Sequence, residues 1–279
     1  MADTGLTQRD WLERVPDLVS ECADEWGLRL GEAYPRGAAG FAQRVALADG
    51  THAVLKLIFP DRESTHEAAA LQLLDGDGTV RLLDHDAERW AMLLERCEPG
   101  TPLAAAGGQR ALDVLIRLLP RLWKPAGEPF MSLADEAAWW VEYLPVGWEG
   151  AGEPFERRLL DAALDALRTL PESQGEQVLL QQDLHGDNVL AAEREPWLMI
   201  DPKPLVGERE FAVAPIVRSD ELGAERGEVL YRFDRLTAEL GLDRERARGW
   251  TIGQTIAWSC SRDHHRPHVA AARWVLDSR

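Results

Sequence analysis

The most constraining stretch of this 279-residue chain is residues 178–201. Two short apolar runs, at 178–181 and 197–200, each lead into polar side chains. Asp183 and Asn188 stand five residues apart after the first run, and Asp201 closes the second. Residues 178–181 are a short apolar run before a polar loop, and 189–192 with 197–200 predict a hairpin. The fold must hold three oxygen-bearing side chains in that loop and at the end of the second run. The plain alternative is that Asp and Asn simply favour loops.

The flanking sequence changes character along its length. Residues 16–26 predict a helix, with Pro16 in its first turn and Gly27 as its stop. Residues 28–34, 41–48 and 51–59 are β-prone, and Asp49-Gly50 predicts a two-residue hairpin between the last two. Between the first two lies a loop, 35–40, that contains Gly37 and Gly40. Ser64-Thr-His-Glu67 resembles a capping box opening a helix to residue 74. Strands are expected at 80–83 and 90–95, and 97–102 breaks the regularity as a linker. Helical periodicity then dominates, at 111–119, 133–144, 155–170, 225–240, 244–261 and 267–276. The expectation is an α+β protein with an N-terminal lobe of antiparallel strands and one helix, 1–97, and a mainly helical lobe, 98–279.

Composition narrows the partners. A net charge of −17 opposes binding to nucleic acid or anionic membrane. It suits a cationic small molecule, and it also serves solubility. Cys22, Cys97 and Cys260 have neither a disulfide framework's density nor zinc-ligand spacing. The first ten residues lack the basic and apolar regions of a secretory leader, and no apolar run approaches the ~20 residues that span a bilayer. A soluble cytoplasmic protein is expected. There is no Gly-x-Ser-x-Gly, His-Glu-x-x-His or phosphate-loop motif. His264, His265 and His268 read as a solvated helix end, and Trp139, Trp140 and Trp258 as core.

Asp183, Asn188 and Asp201 meet the needs of phosphoryl transfer in order. That chemistry takes a carboxylate to receive the acceptor hydroxyl's proton, and oxygen ligands for Mg²⁺. It also takes a strand lysine for the α/β-phosphates and a helix glutamate to orient that lysine. Lys56 lies in the third strand expected, and Glu67 opens the next helix. Gly37 and Gly40 sit where a phosphate-covering loop belongs. The chain has only three lysines, Lys56, Lys124 and Lys203, and one asparagine, Asn188. Two of these four scarce residues fall on positions the chemistry names.

These segments resemble the aminoglycoside phosphotransferases of the kinase-like superfamily, and more narrowly the streptomycin 6-phosphotransferase and hydroxyurea phosphotransferase family. The resemblance rests on Ala53-Val-Leu-Lys-Leu, His66-Glu-Ala-Ala-Ala-Leu, Val80-Arg-Leu-Leu-Asp, Leu93-Leu-Glu-Arg, Asp183-Leu-His-Gly-Asp-Asn-Val-Leu and Ile200-Asp-Pro-Lys-Pro-Leu-Val-Gly-Glu-Arg209. It implies a bilobal protein-kinase-like fold with ATP and Mg²⁺ between the lobes, and a small-molecule acceptor such as streptomycin. Asp183 is then the base, Asn188 and Asp201 hold magnesium, and Lys56, Glu67, Gly37 and Gly40 serve the phosphates. Backbone groups of Glu95 and Cys97 would meet adenine. Lys203 is either a phosphate contact or an exposed loop lysine, and Asp220, Glu221 and Asp263 are candidates to hold a cationic acceptor. Where the family usually has His-Gly-Asp, this chain has Gln181-Gln182-Asp183. Two rivals remain: a kinase of hydroxyurea or another metabolite on the same fold, and a catalytically inactive nucleotide-binding relative.

Overall fold

The structure, a computed structural model, describes residues 7–35, 40–260 and 266–278. The expectations placed on Gly37, Asp263, His264 and His265 lie outside the described residues. In chain order the first elements are α1 (Gln8–Trp26), β1 (Arg29–Ala33), β2 (Gly40–Ala46), β3 (His52–Ile58), α2 (Glu67–Leu74), β4 (Leu82–Asp86) and β5 (Ala91–Glu95). Then come α3 (Gly108–Leu122), α4 (Leu133–Gly150), α5 (Arg157–Thr169), β6 (Gln177–Gln181), β7 (Val189–Ala191), β8 (Trp197–Met199) and β9 (Pro204–Glu208). Four helices follow: α6 (Ala214–Arg218), α7 (Arg226–Glu239), α8 (Arg244–Ser259) and α9 (Arg266–Leu276). The chain divides into two compact units, Met1–Gly100 with Ala191–Asp201, and Thr101–Leu190 with Pro202–Arg279. The first is built on strands and the second on helices, which makes the protein α+β.

The first unit carries an antiparallel sheet in the order β1-β2-β3-β5-β4. Side chains alternate along β3. Ala53, Leu55 and Leu57 enter a core with Trp11, Val15, Leu18, Val19 and Cys22 of α1, so Lys56 faces the opposite side of the sheet. Helix α1 starts at Gln8 rather than at Pro16. Thr7 caps it, accepting from the Asp10 N–H at 3.2 Å while the Asp10 carboxylate accepts from the Thr7 N–H. Pro16 lies inside the helix, where burial of the apolar stripe outweighs the lost backbone bond. Gly27 stops it in the left-handed conformation, as expected.

Two local expectations are corrected. The β2–β3 turn has three residues, not the two that Asp49-Gly50 suggests. The Leu47 N–H donates to Thr51 O at 2.9 Å and the Gly50 N–H to Leu47 O at 3.0 Å. Gly50 then takes the positive φ, 91°, at the end of the turn. Ser64-Thr-His-Glu67 forms no capping box, because the Ser64 hydroxyl goes to Asp61 Oδ1 at 2.6 Å and the N-cap is His66. The Glu67 carboxylate is drawn to Lys56 instead.

In the second unit β6 pairs antiparallel with β9, from Gln177↔Glu208 to Gln181↔Pro204. Strand β9 goes unread in the sequence because Pro204 and Gly207 disguise five buried residues. Helix α8 is buried along most of its length. A Cβ at Gly253 would come 2.9 Å from Leu167 Cδ2, and one at Gly249 2.8 Å from Leu170 Cδ1, so these glycines let α5 and the turn after it close on α8. Trp140, Phe211 and Trp250 form an aromatic row, with centroid separations of 6.3 and 5.8 Å. Trp139 is not core: it is 43% exposed and stacks on Tyr143. Among the described residues no helix is long and apolar enough to cross a membrane.

Candidate active site

The first unit gathers four of the expected residues. Lys56 Nζ lies 2.5 Å from Glu67 Oε1 and 2.6 Å from Asp201 Oδ1. Strand alternation puts Lys56 on this face, and the first residue of α2 supplies Glu67. The Glu67 side chain is 1% exposed and that of Asp201 42%, so the lysine joins a buried carboxylate to an accessible one. Burial alone would push the Lys56 ammonium's pKa down. The charges of Glu67 and Asp201 outweigh it and hold the pKa above the ordinary lysine value. Asp201 follows β8 with φ at +53°, just before Pro202. Asp enters that left-handed region more readily than most residues. Gly40 belongs here too, since a Cβ on it would sit 3.1 Å from Leu57 O and 4.0 Å from Lys56 Cε.

Glu95 and Cys97 follow at the end of β5. The Glu95 N–H donates to Arg81 O at 2.9 Å. Its carboxylate receives a fork from Arg194, Nε to Oε1 at 2.8 Å and Nη2 to Oε2 at 2.9 Å. Burial opposes ionisation of this carboxyl, but the bonds from Arg194 prevail and keep its pKa low. Arg194 also reaches the carbonyls of Gly76 and Thr79 and so pins the end of β5. Burial, with help from the Glu95 charge, pushes the Cys97 thiol up to about 12, which leaves it inert as a thiolate.

The second unit holds Asp183 and Asn188. The Asn188 Nδ2–H₂ donates to the Asp183 carbonyl at 2.9 Å, which fixes the amide and leaves the nitrogen, not the oxygen, engaged there. Arg218 Nη2 donates to Asp183 Oδ1 at 2.9 Å and to Gln182 O at 3.3 Å. Lys203 Nζ lies 3.5 Å from Asp183 Oδ2. The ring of Trp258 lies under both cations, 4.2 Å from the Arg218 guanidinium carbon and 5.2 Å from Lys203 Nζ. Glu221 accepts from the Gly186 N–H at 2.9 Å and stands 3.8 Å from His185, so it braces the loop that bears Asp183. Asp220 is 3.9 Å from His268. Gln181, in place of the expected histidine, is buried, and neither end of its amide finds a partner among the described residues.

Three contributors went unread. Arg218 ends α6 and is 5% exposed. Arg232 donates to the carbonyls of Val217, Ser219, Leu222 and Gly223 and so clamps the segment that bears Arg218 and Glu221. Burial pushes its pKa down to about 10, although Glu221, Glu228 and Asp220 oppose the shift. Trp258, expected in the core, is partly exposed and carries both cations. In a chain rich in arginine, no local signal separates Arg218 and Arg232 from surface residues.

The donor set suits magnesium. No cluster of three or more His, Cys, Asp or Glu side chains able to hold a metal occurs among the described residues. Mg²⁺ needs none, because it binds through one or two protein oxygens and completes its shell with phosphates and water. The Asp201 carboxylate and the Asn188 amide oxygen are hard oxygens of that kind.

Comparison with known proteins places these features. Residues 30–264 match a family described as aminoglycoside/hydroxyurea antibiotic resistance kinase. The chain is 41% identical over 256 residues to hydroxyurea phosphotransferase of Kitasatospora aureofaciens, covering 90% of this chain and 74% of the relative. It is 41% identical over 259 residues to streptomycin 6-kinase of Streptomyces griseus, covering 90% and 84%. Choline kinase LicA from Streptococcus pneumoniae superposes with a TM-score of 0.64 over 94% of this chain and 98% of that one. At 13% identity that likeness speaks for the fold alone.

Proposed function

The chain belongs to the aminoglycoside/hydroxyurea antibiotic resistance kinase family, and from that premise we propose that it moves the γ-phosphate of ATP to a hydroxyl of a small molecule, with streptomycin the leading acceptor. The observation that carries this reading is Lys56 bridging Glu67 and Asp201, a cation fixed at the face that Gly40 overhangs. Lys56, oriented by Glu67, neutralises the α/β-phosphates, with Gly37 and Gly40 covering them. Residues 1–97 recognise the nucleotide, and 98–279 supply the base and bind the acceptor. With its N–H already donated, Glu95 meets adenine through its carbonyl, and Cys97 through its backbone.

Asn188 and Asp201 would hold Mg²⁺, which supplies charge neutralisation along the phosphates when bound. Asp183 receives the acceptor hydroxyl's proton as oxygen attacks phosphorus in line, and ADP leaves with the electron pair of the broken bond. Positioning and charge stabilisation carry most of the rate enhancement.

The test is an acceptor panel in which ATP consumption is measured and the phosphorylated position is read by ³¹P NMR. Phosphorylation of streptomycin is expected. Hydroxyurea belongs in the panel because the hydroxyurea phosphotransferase relative is as similar as the streptomycin 6-kinase. No turnover on any member would favour the inactive-relative reading. Separately, Glu67→Gln should raise KM for ATP roughly tenfold, the worth of one charge-assisted hydrogen bond, and leave the acceptor's KM unchanged in steady-state kinetics.

A further inference from the structure

Two cations share the Trp258 ring beside Asp183, and they are held differently. Arg218 is 5% exposed and bonded to both Asp183 and the Gln182 carbonyl, so it is immobilised behind the carboxylate. Lys203 ends in an ammonium on a flexible stem, and its backbone is stiff. Pro202 and Pro204 flank it, and each ring fixes its own φ. Its carbonyl is fixed as well, accepting from the Gln182 N–H at 2.9 Å, which extends the β6–β9 ladder to the start of the catalytic loop. The backbone anchor is thus fixed, and the ammonium is carried out from it on a four-carbon stem.

We propose that Lys203, presented on the face of Trp258, is a further catalytic residue that neutralises the phosphoryl group in transit, whereas Arg218 is a positioning residue that holds Asp183. This rests on the phosphotransferase reading above. An acceptor hydroxyl within roughly 3 Å of Asp183, attacking phosphorus about 3–3.5 Å further on, brings the phosphoryl group within about 6–7 Å of that carboxylate. Lys203 Nζ lies 3.5 Å from Asp183 Oδ2, inside that volume. Pairing with Asp183 and the Trp258 face keep the ammonium there before substrate arrives. During transfer the acceptor O–P bond forms, the β–γ bridging bond breaks, ADP takes the electron pair and Asp183 takes the proton. Lys203 exchanges no proton and contributes charge alone.

Lys203→Met and Lys203→Arg are the variants, each checked by thermal melt. On any acceptor the wild type uses, Lys203→Met should lose about 10²-fold in kcat, as for removal of one charge-stabilising donor, with KM for ATP little changed. Lys203→Arg should recover part of it. The second readout needs no acceptor: affinity for ADP with aluminium fluoride, which mimics the phosphoryl in flight, against affinity for ADP alone. Lys203→Met should weaken the mimic at least about tenfold more than it weakens ADP. A lysine that merely held Asp183 would leave the two affinities in their wild-type ratio, and that result overturns the proposal. A wild type inactive across the panel would count against the phosphotransferase reading, while the fluoride measurement would still judge Lys203.

Discussion

Replacing Asp183 with asparagine is expected to lower kcat by about 10²–10⁴-fold, the contribution of a positioned base, while the Kd for ATP stays within roughly threefold. Asparagine is the informative substitution because of Arg218. That guanidinium is 5% exposed and its bond to Asp183 Oδ1 is 2.9 Å. Alanine would take that carboxylate away from a buried charge that also meets the Gln182 carbonyl and the Trp258 face. Removing one partner of a buried pair costs about 3–5 kcal/mol. Asp183→Ala should therefore lose both activity and thermal stability, whereas Asp183→Asn keeps an oxygen for Arg218 and isolates the chemistry. Steady-state kinetics, nucleotide titration and a melting curve on both variants check this. If Asp183→Asn turned over within threefold of wild type, the base would have to be another group.

What the sequence could disclose follows from how local each interaction is. Lys56, Glu67, Asn188 and Asp201 stand out as candidates because phosphoryl transfer would fix their residue types and their order along strands and loops. Lysine and asparagine are also rare enough here to stand out. The Asp49-Gly50 turn was legible as a turn but not in its length, since one dipeptide can place glycine at either turn position. The start of α1 hid behind Pro16, because a short-range proline rule cannot weigh the burial of Trp11 and Val15 against the sheet. Arg218 and Arg232 were invisible as site residues, and Trp258 read as core by default. Only the packing of α6 and α8 brings Arg218 and Trp258 to Asp183, while Arg232 of α7 clamps the segment at 217–223. Glu221 could be picked out as a carboxylate near the site, yet its use is to hold the Gly186 N–H and stand beside His185.

The same contrast between local chemistry and distant packing sets the expectation for Glu208. Its side chain is 2% exposed, at the end of β9, and it gathers donors from α8 and from the segment before β6. Arg246 gives Nε at 2.9 Å to Oε2 and Nη2 at 2.7 Å to Oε1, Trp250 gives its indole N–H at 2.5 Å, and Gly175 gives its backbone N–H at 3.2 Å. Glu208→Ala would take the acceptor from the buried Trp250 N–H and the carboxylate from the Arg246 charge. The expected loss is about 3–5 kcal/mol, which corresponds to a fall in Tm of roughly 6–20 °C for a domain of this size. Glu208→Gln retains one acceptor oxygen and should lose about half as much. Strand β9 pairs with β6, whose last residue is Gln181, so the damage reaches Asp183 only through the fraction folded. At a temperature where Glu208→Ala is fully folded, its kcat should match wild type, the reverse of Asp183→Asn. A variant with unchanged Tm and depressed kcat would place Glu208 in the chemistry rather than in the frame that carries it.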